Sequence, residues 1–242
     1  MLKTLSIVLF ATFVIGCQQG PTSTLTNNLT FEFNSESLPD GRLESDMVFV
    51  VDSVFRSVGT STAEVKRFTE KRTKMIELIM IQAMGMGTMY DTLWVEEATF
   101  RPIRYRNVMA GSQSIKLDYG IDGHITGSFH RDSLTTQIDT TVTEILYDAG
   151  GFQGIIPALP LADGFEADIP VYNYLTGKGV ASVKVLDSGI VELNGQSHNV
   201  WVVGYSPGGG LVAILSIDKD SGQLLRSETE MGPGRHFVYQ AK

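Results

Sequence analysis

Cysteine is nearly absent. The 242-residue chain has one, Cys17, so no internal disulfide can form and stability has to come from packing. Cations are in short supply as well: 19 Lys and Arg stand against 27 Asp and Glu, a formal net charge of −8. That balance argues against a nucleic-acid partner, whose affinity would come from Lys and Arg neutralising phosphates. No apolar run reaches the ~20 residues of a spanning helix; the longest internal candidate, IELIMIQAMGMG, carries Glu77 and ends in glycines. Histidine occurs four times, at 124, 130, 198 and 236, without an HExxH or other tight ligand set, so no metal site and no cofactor are expected. Self-similarity at a period of ~20–50 residues, the mark of a solenoid or propeller, is missing too. Apolar residues are plentiful at 43%, enough for one ordered domain.

The N-terminus has its own pattern. Lys3 precedes an apolar stretch from Leu5 to Ile15, too short to span a bilayer and of the length of a secretory signal core. Val14-Ile15-Gly16-Cys17 resembles the bacterial lipobox. The resemblance implies cleavage before Cys17, two acyl chains (palmitate or similar) on its thiol and a third on the new amino terminus. At ~0.8 kcal/mol per buried CH₂, three chains amount to a lasting membrane anchor. Gln18 follows, where the resemblance would place Asp for inner-membrane retention, so it implies the outer membrane. QQGPTSTLTNN, residues 18–28, is uncharged and rich in Gly, Pro, Ser, Thr and Asn, as in a solvated tether. We therefore divide the chain into a signal peptide (1–16), a lipidated Cys17 with its tether (17–30) and a single β-domain (31–242).

Beyond the tether the dominant period is two. MVFVVDSVF (47–55), SIKLDY (114–119) and HNVWVVGY (198–205) are rich in the β-branched and aromatic residues that suit a pleated, half-buried surface. Asp122-Gly123, Asn194-Gly195 and Lys219-Asp220-Ser221-Gly222 mark turns. Residues 89–109 read as two strands meeting near Ala98–Pro102. Glu64 to Met84 contains good helix formers behind a Ser61-Thr62-Ala63-Glu64 capping box, but its apolar positions sustain no helical stripe. We assign it to two strands joined near Lys71–Thr73. The expected fold is mainly β: one curved antiparallel sheet, an incomplete barrel of about ten to twelve strands. Asp148 to Leu161, DAGGFQGIIPALPL, is the exception, since Pro157 and Pro160 exclude both a long helix and a central strand. It is expected as a short helical or proline-stiffened lid over the concave face.

No catalytic constellation stands. Gly204-Tyr205-Ser206-Pro207-Gly208 matches G-x-S-x-G, with His236 and Asp218 or Asp220 downstream. Yet a nucleophile elbow draws on the N–H after the serine, and Pro207 has none. Glu96 and Glu97 are adjacent and point to opposite faces of a strand. What remains is apolar: Met75, Met80, Met84, Met86 and Met89 crowd one region, and methionine is over-used at adaptable binding surfaces. Trp94, Phe100, Phe152, Ile155, Ile156, Leu159, Leu161 and Phe165 flank the expected hollow and lid. Both an ordinary core and an apolar-ligand pocket built from Met80, Met84 and these eight residues fit the sequence.

Asp91-Thr92-Leu93-Trp94-Val95 followed by Thr99-Phe100-Arg101-Pro102-Ile103-Arg104-Tyr105, with the later Pro157–Phe165 and Ile217-Asp218-Lys219 segments, resembles a pattern of bacterial envelope β-proteins. These are similar in architecture to LolA and LolB, the carrier and receptor of lipoprotein sorting. The resemblance covers residues 45–240 and implies an incomplete barrel whose concave side holds acyl chains. The function it implies is that of a non-enzymatic outer-membrane lipoprotein binding a lipid or acyl chain. The alternatives are an envelope scaffold with a solid core that docks a protein partner and, as a minor one, a serine hydrolase.

Overall fold

The computed structural model describes residues 25–109, 113–207 and 212–242. Cys17, the signal segment and the first part of the tether lie outside the described residues. Among the described residues, fifteen strands form one sheet. The first eight are β1 (Gly41–Val51), β2 (Val54–Glu70), β3 (Thr73–Met84), β4 (Gly87–Glu96), β5 (Pro102–Met109), β6 (Gln113–Tyr119), β7 (His124–Arg131) and β8 (Leu134–Thr141). The remaining seven are β9 (Tyr147–Asp148), β10 (Glu166–Asn173), β11 (Gly177–Leu193), β12 (Gln196–Ser206), β13 (Ala213–Asp218), β14 (Leu224–Gly232) and β15 (Arg235–Ala241).

The topology is two up-and-down meanders fused side by side. Strands β1 to β8 follow one another across one half, β15 back to β9 across the other, and β1 pairs with β15 at the seam. Tight turns make this possible. Asn194-Gly195 has two positive φ angles (52° and 76°), as a two-residue hairpin requires. So do Asp52-Ser53 (48° and 66°) and Lys71-Arg72 (47° and 74°), without any glycine. The expected single open curved sheet is therefore correct, with more strands than the ten to twelve expected. Part of the excess is local: the run 47–55 is the arm, tip and return of a hairpin rather than one strand. The segment 64–84 is strand throughout apart from the Lys71-Arg72 turn, where the two-strand assignment put it. Its helix formers yield to cross-strand pairing with β1 and β4.

One pair breaks the antiparallel rule. β9 runs parallel to β10, Tyr147 opposite Val171. A parallel pair needs a crossover of a dozen or more residues, and here residues 149–165 supply it. They cross the concave face as a 3-10 helix, Phe152–Ala158, whose apolar side chains are sealed inside together with that of the following Leu159: Phe152, Ile155, Ile156, Ala158 and Leu159 are each 2% exposed or less. The sheet curls until β9 reaches β5, and the Tyr147 hydroxyl donates to the Thr99 carbonyl across that approach at 3.2 Å. The chain before β1 plugs one end. Thr26 N–H bonds the Thr143 carbonyl at 3.1 Å, and Phe33 stacks on Phe100 at 4.9 Å and packs against Tyr147 at 5.3 Å.

Candidate functional site

Alternation along adjacent strands selects what faces inward. Register aligns Ser61, Gln82 and Met89 in one row across β2, β3 and β4; Ala63, Met80 and Asp91 in the next; and Val65, Leu78 and Leu93 in a third that continues to Tyr105 of β5. These three rows floor a cavity of about 330 Å³, walled by Leu43 of β1, Leu224 and Ser227 of β14 and Tyr239 of β15, and roofed by Gly150, Gly151, Gln153 and Gly154. That volume is at the lower end of the ~300–1,000 Å³ of small-molecule sites. The roof fits because it lacks side chains. A Cβ on Gly150 would come within 2.5 Å of the Tyr105 hydroxyl, and one on Gly151 within 2.7 Å of Leu93. The side-chain amide of Gln153 pins the roof by donating to the Ser227 hydroxyl at 3.1 Å.

The crossover thus divides the interior. Its 3-10 helix fills one half, where Phe152 lies 6.2 Å from Tyr147 and 5.9 Å from Tyr205, and its glycine-rich start leaves the other half open. Of the residues singled out in the sequence, Met89 lines the opening and so does Met80. Met84 follows it on β3, half-buried and outside the lining. Phe100, Phe152, Ile155, Ile156 and Leu159 belong to the solid half. Leu161 and Phe165 pack at its border, Phe165 5.6 Å from Phe31. Trp94 is on the convex face, with the Arg104 guanidinium 5.0 Å over its ring.

The polar members of the hollow are those that the sequence reading missed. Asp91 lines the cavity, and its Oδ1 has no hydrogen-bond partner. Burial raises its pKa, an effect that Tyr105 and Asn107 partly offset. Behind the roof, Asp148 accepts from the Tyr119 hydroxyl at 2.5 Å and from the Gly151 N–H at 2.9 Å. Burial pushes its carboxyl up to about 6, against the pull of those two bonds, and the Asp91 charge adds to the rise. Tyr105 sits between the two acids; burial and then the Asp91 and Asp148 charges raise its pKa far above the phenol range. Ser61, Gln82 and Ser227 are buried. Among the described residues, no Lys, Arg or His side chain lines the cavity. A legible signal existed for two of these residues, since Asp91 and Tyr105 open and close the Asp91–Tyr105 pattern.

The hydrolase candidates are dispersed. Ser206 ends β12 opposite Ser182, His236 is on β15 beside Glu228 at 3.1 Å, and Asp218 ends β13. Asp218 is held by His198 at 2.8 Å and by the Ser221 hydroxyl at 2.8 Å. Ser221 donates to the carboxylate rather than to the histidine, so these three groups form a turn cap and no relay. His124 meets Asp139 at 2.6 Å and His130 meets Ser128 and Thr135, and no cluster of three metal-ligating side chains occurs among the described residues.

This geometry defines a class: a barrel-like single-sheet β protein, left unclosed and half filled by its own crossover. The chain belongs to the family DUF3108, described as a protein of unknown function, whose model matches residues 47–238. It is also similar to the crystal structure of a beta-barrel-like protein of domain of unknown function DUF1849 from Brucella abortus. That likeness has a TM-score of 0.53 at 10% identity, over 85% of this chain and 96% of the other, and concerns the fold. No curated protein matches the chain.

Proposed function

We propose that the protein is a non-enzymatic, lipid-anchored carrier or receptor of the bacterial outer membrane whose hollow takes an amphipathic ligand. The observation that carries this reading is the cavity of about 330 Å³ between the sheet and residues 150–154. An alkyl or acyl chain would lie against Leu43, Ala63, Val65, Leu78, Met80 and Leu93. Its polar end would meet Asp91, Gln82 and Tyr105. Those groups offer a carboxylate, an amide and a hydroxyl, with no cation to receive an anion. The ligand's head is therefore a hydrogen-bond donor, an ammonium or a hydroxyl, because a carboxylate or phosphate would be buried beside Asp91 uncompensated. The lipobox and the LolA/LolB resemblance support the cellular setting.

Native mass spectrometry of protein purified from its own envelope tests the reading. A reproducible added mass released by organic solvent supports it; a bare chain in every preparation counts against it. The head-group assignment has a separate test in displacement of bound N-phenylnaphthylamine. Dodecylamine and dodecanol should compete at least about tenfold better than dodecanoate, a difference of ~1.4 kcal/mol. Equal competition would leave a hollow without that selectivity.

A scaffold with a protein partner is the second reading, favoured by the solid half of the interior around Phe152 and Ile156. Cross-linking to one stable envelope protein, with no small molecule bound, would favour it.

A further inference from the structure

The two ends of the strands differ in kind. The turns at 52–53, 85–86, 132–133, 174–176 and 233–234 all belong to one end, as the antiparallel register fixes. Each has an exposed large apolar side chain at or beside it: Phe55 (70% exposed), Met86 (82%), Leu134 (74%), Leu175 (66%) and Met231 (53%). Val212, leading into β13 at the same end, is exposed too. At the opposite end the turns are Lys71-Arg72, Asp122-Gly123, Asn194-Gly195 and Lys219–Gly222, and none of their residues is an exposed large hydrophobic. Leu186 and Ile190, the exposed aliphatics on the lower course of β11, sit along the strand rather than at a turn.

Charge is sorted the same way. Of the ten arginines, Arg42, Arg67, Arg101, Arg104, Arg106 and Arg226 are in ion pairs. Among the described residues, three of the other four stand at the apolar end: Arg56 next to Phe55, Arg131 near Leu134 and Arg235 near Met231. Asp52, Asp132 and Glu230 are there as well, so this rim is close to neutral in a chain of net charge −8. On β3 and β4 the hollow lies toward this end, where Gln82 and Met89 are one inward-facing pair below the Gly85-Met86 turn, while on β14 it extends to Leu224, beside the opposite turn. The other end is closed by Leu38 and Phe100.

We infer that the rim bearing Phe55, Met86, Leu134, Leu175 and Met231 docks on a phospholipid bilayer, its apolar tips among the headgroups and Arg56, Arg131 and Arg235 on lipid phosphates. Isolated apolar tips separated by arginines suit an interface that is apolar at one depth and phosphate-rich at the next. A guanidinium outside any ion pair, as these three are with Tyr174 the electrostatic neighbour of Arg131, matches phosphate in a way that an ammonium does not. The inference rests on the rim and stands whether or not the hollow takes a ligand.

Any lipid on the N-terminus would bring the chain to vesicles by itself, so the test reads the depth of individual side chains in the full chain. Single Phe55→Trp and Met86→Trp variants are compared with Ile190→Trp, the unsubstituted protein correcting for Trp94 and Trp201. Vesicles contain phosphatidylglycerol and brominated phosphatidylcholine. The rim probes should shift to the blue and lose roughly half their emission, as for a ring ~5–10 Å into the boundary, while Ile190→Trp changes little. Arg56→Glu, Arg131→Glu and Arg235→Glu together should return the rim probes to the Ile190→Trp level, with the melting temperature unchanged. Rim probes indifferent to vesicles, quenching equal for all three probes, or a blue shift that follows protein concentration without lipid would each overturn the inference. The last outcome would assign the rim to a second copy of the chain.

Discussion

Asp148 and Asp91 are the residues whose chemistry is least explained by folding alone. Asp148 is buried behind the roof, facing the Tyr119, Tyr105 and Tyr205 hydroxyls and the Asp91 charge. Its folded pKa, about 6, stands above its unfolded value near 3.8. The folded state then holds the proton more tightly, so Asp148's contribution is complete below about pH 3.8 and is lost as pH rises toward about 6. At ~1.4 kcal/mol per pH unit, the loss is on the order of 3 kcal/mol. Urea unfolding at about pH 4 and pH 7 should show the wild type losing that much relative to Asp148→Asn. Parallel pH profiles for the two proteins would contradict the assignment. Asp91 also explains why Trp94 was misplaced in the sequence reading. In MYDTLWVE the charged residue would ordinarily mark the solvent face, which puts Tyr90, Thr92 and Trp94 inside. The structure has Asp91, Leu93 and Val95 inside instead, and a buried carboxylate inverts the apparent parity of its strand. Met80 was legible because Leu78, Met80 and Gln82 share its face without such a conflict.

At the scale of elements, turns with glycine were readable and turns without it were not. Asn194-Gly195 and Asp122-Gly123 announce their hairpins, while Asp52-Ser53 interrupts an apolar run that looks continuous. Lys71-Arg72 was located by its charge rather than by its conformation. Both its residues have positive φ, a region that suits Asn and Gly better. Lys71→Asn with Arg72→Gly should therefore stabilise the protein by about 1 kcal/mol, seen as a 2–4 °C rise in melting temperature. No rise, or a fall, would mean that the two side chains contribute contacts that offset their strain. The crossover was legible as an oddity, since two prolines in an apolar run exclude both regular structures. Its fate was not legible, because only the parallel pairing of β9 with β10 sends it through the interior. The expectation of a cover over a hollow is met by its glycines, and its aromatic and aliphatic part became core.

For the whole molecule the governing fact is the seam. The first and last strands meet in the middle of the sheet, so neither meander is complete without the other. The register from Ser45↔Ala241 to Val51↔Arg235 is the longest-range pairing in the chain, and such pairing forms slowly because loop closure precedes its reward. Deleting residues 235–242 would expose two unpaired central strands, β1 and β14, rather than trim an edge. Such a chain should be insoluble or lack the cooperative thermal transition of the intact protein in circular dichroism; a soluble, cooperatively melting product would refute the seam. None of this topology could be read from alternation and turn chemistry. Those specify which neighbours in sequence pair and say nothing of how the two halves join.

The hollow is the feature on which the functional account depends, and filling it is the most direct measurement. Ala63 faces the cavity between Leu43 and Met80, so Ala63→Phe places a ring in the space assigned to the ligand chain. Titration with N-phenylnaphthylamine should show saturable, one-to-one uptake by the wild type. Ala63→Phe should lose that uptake while keeping a cooperative melt. A wild type that takes up no probe, or a filled variant that binds it as well as the wild type does, would contradict a binding hollow at this site.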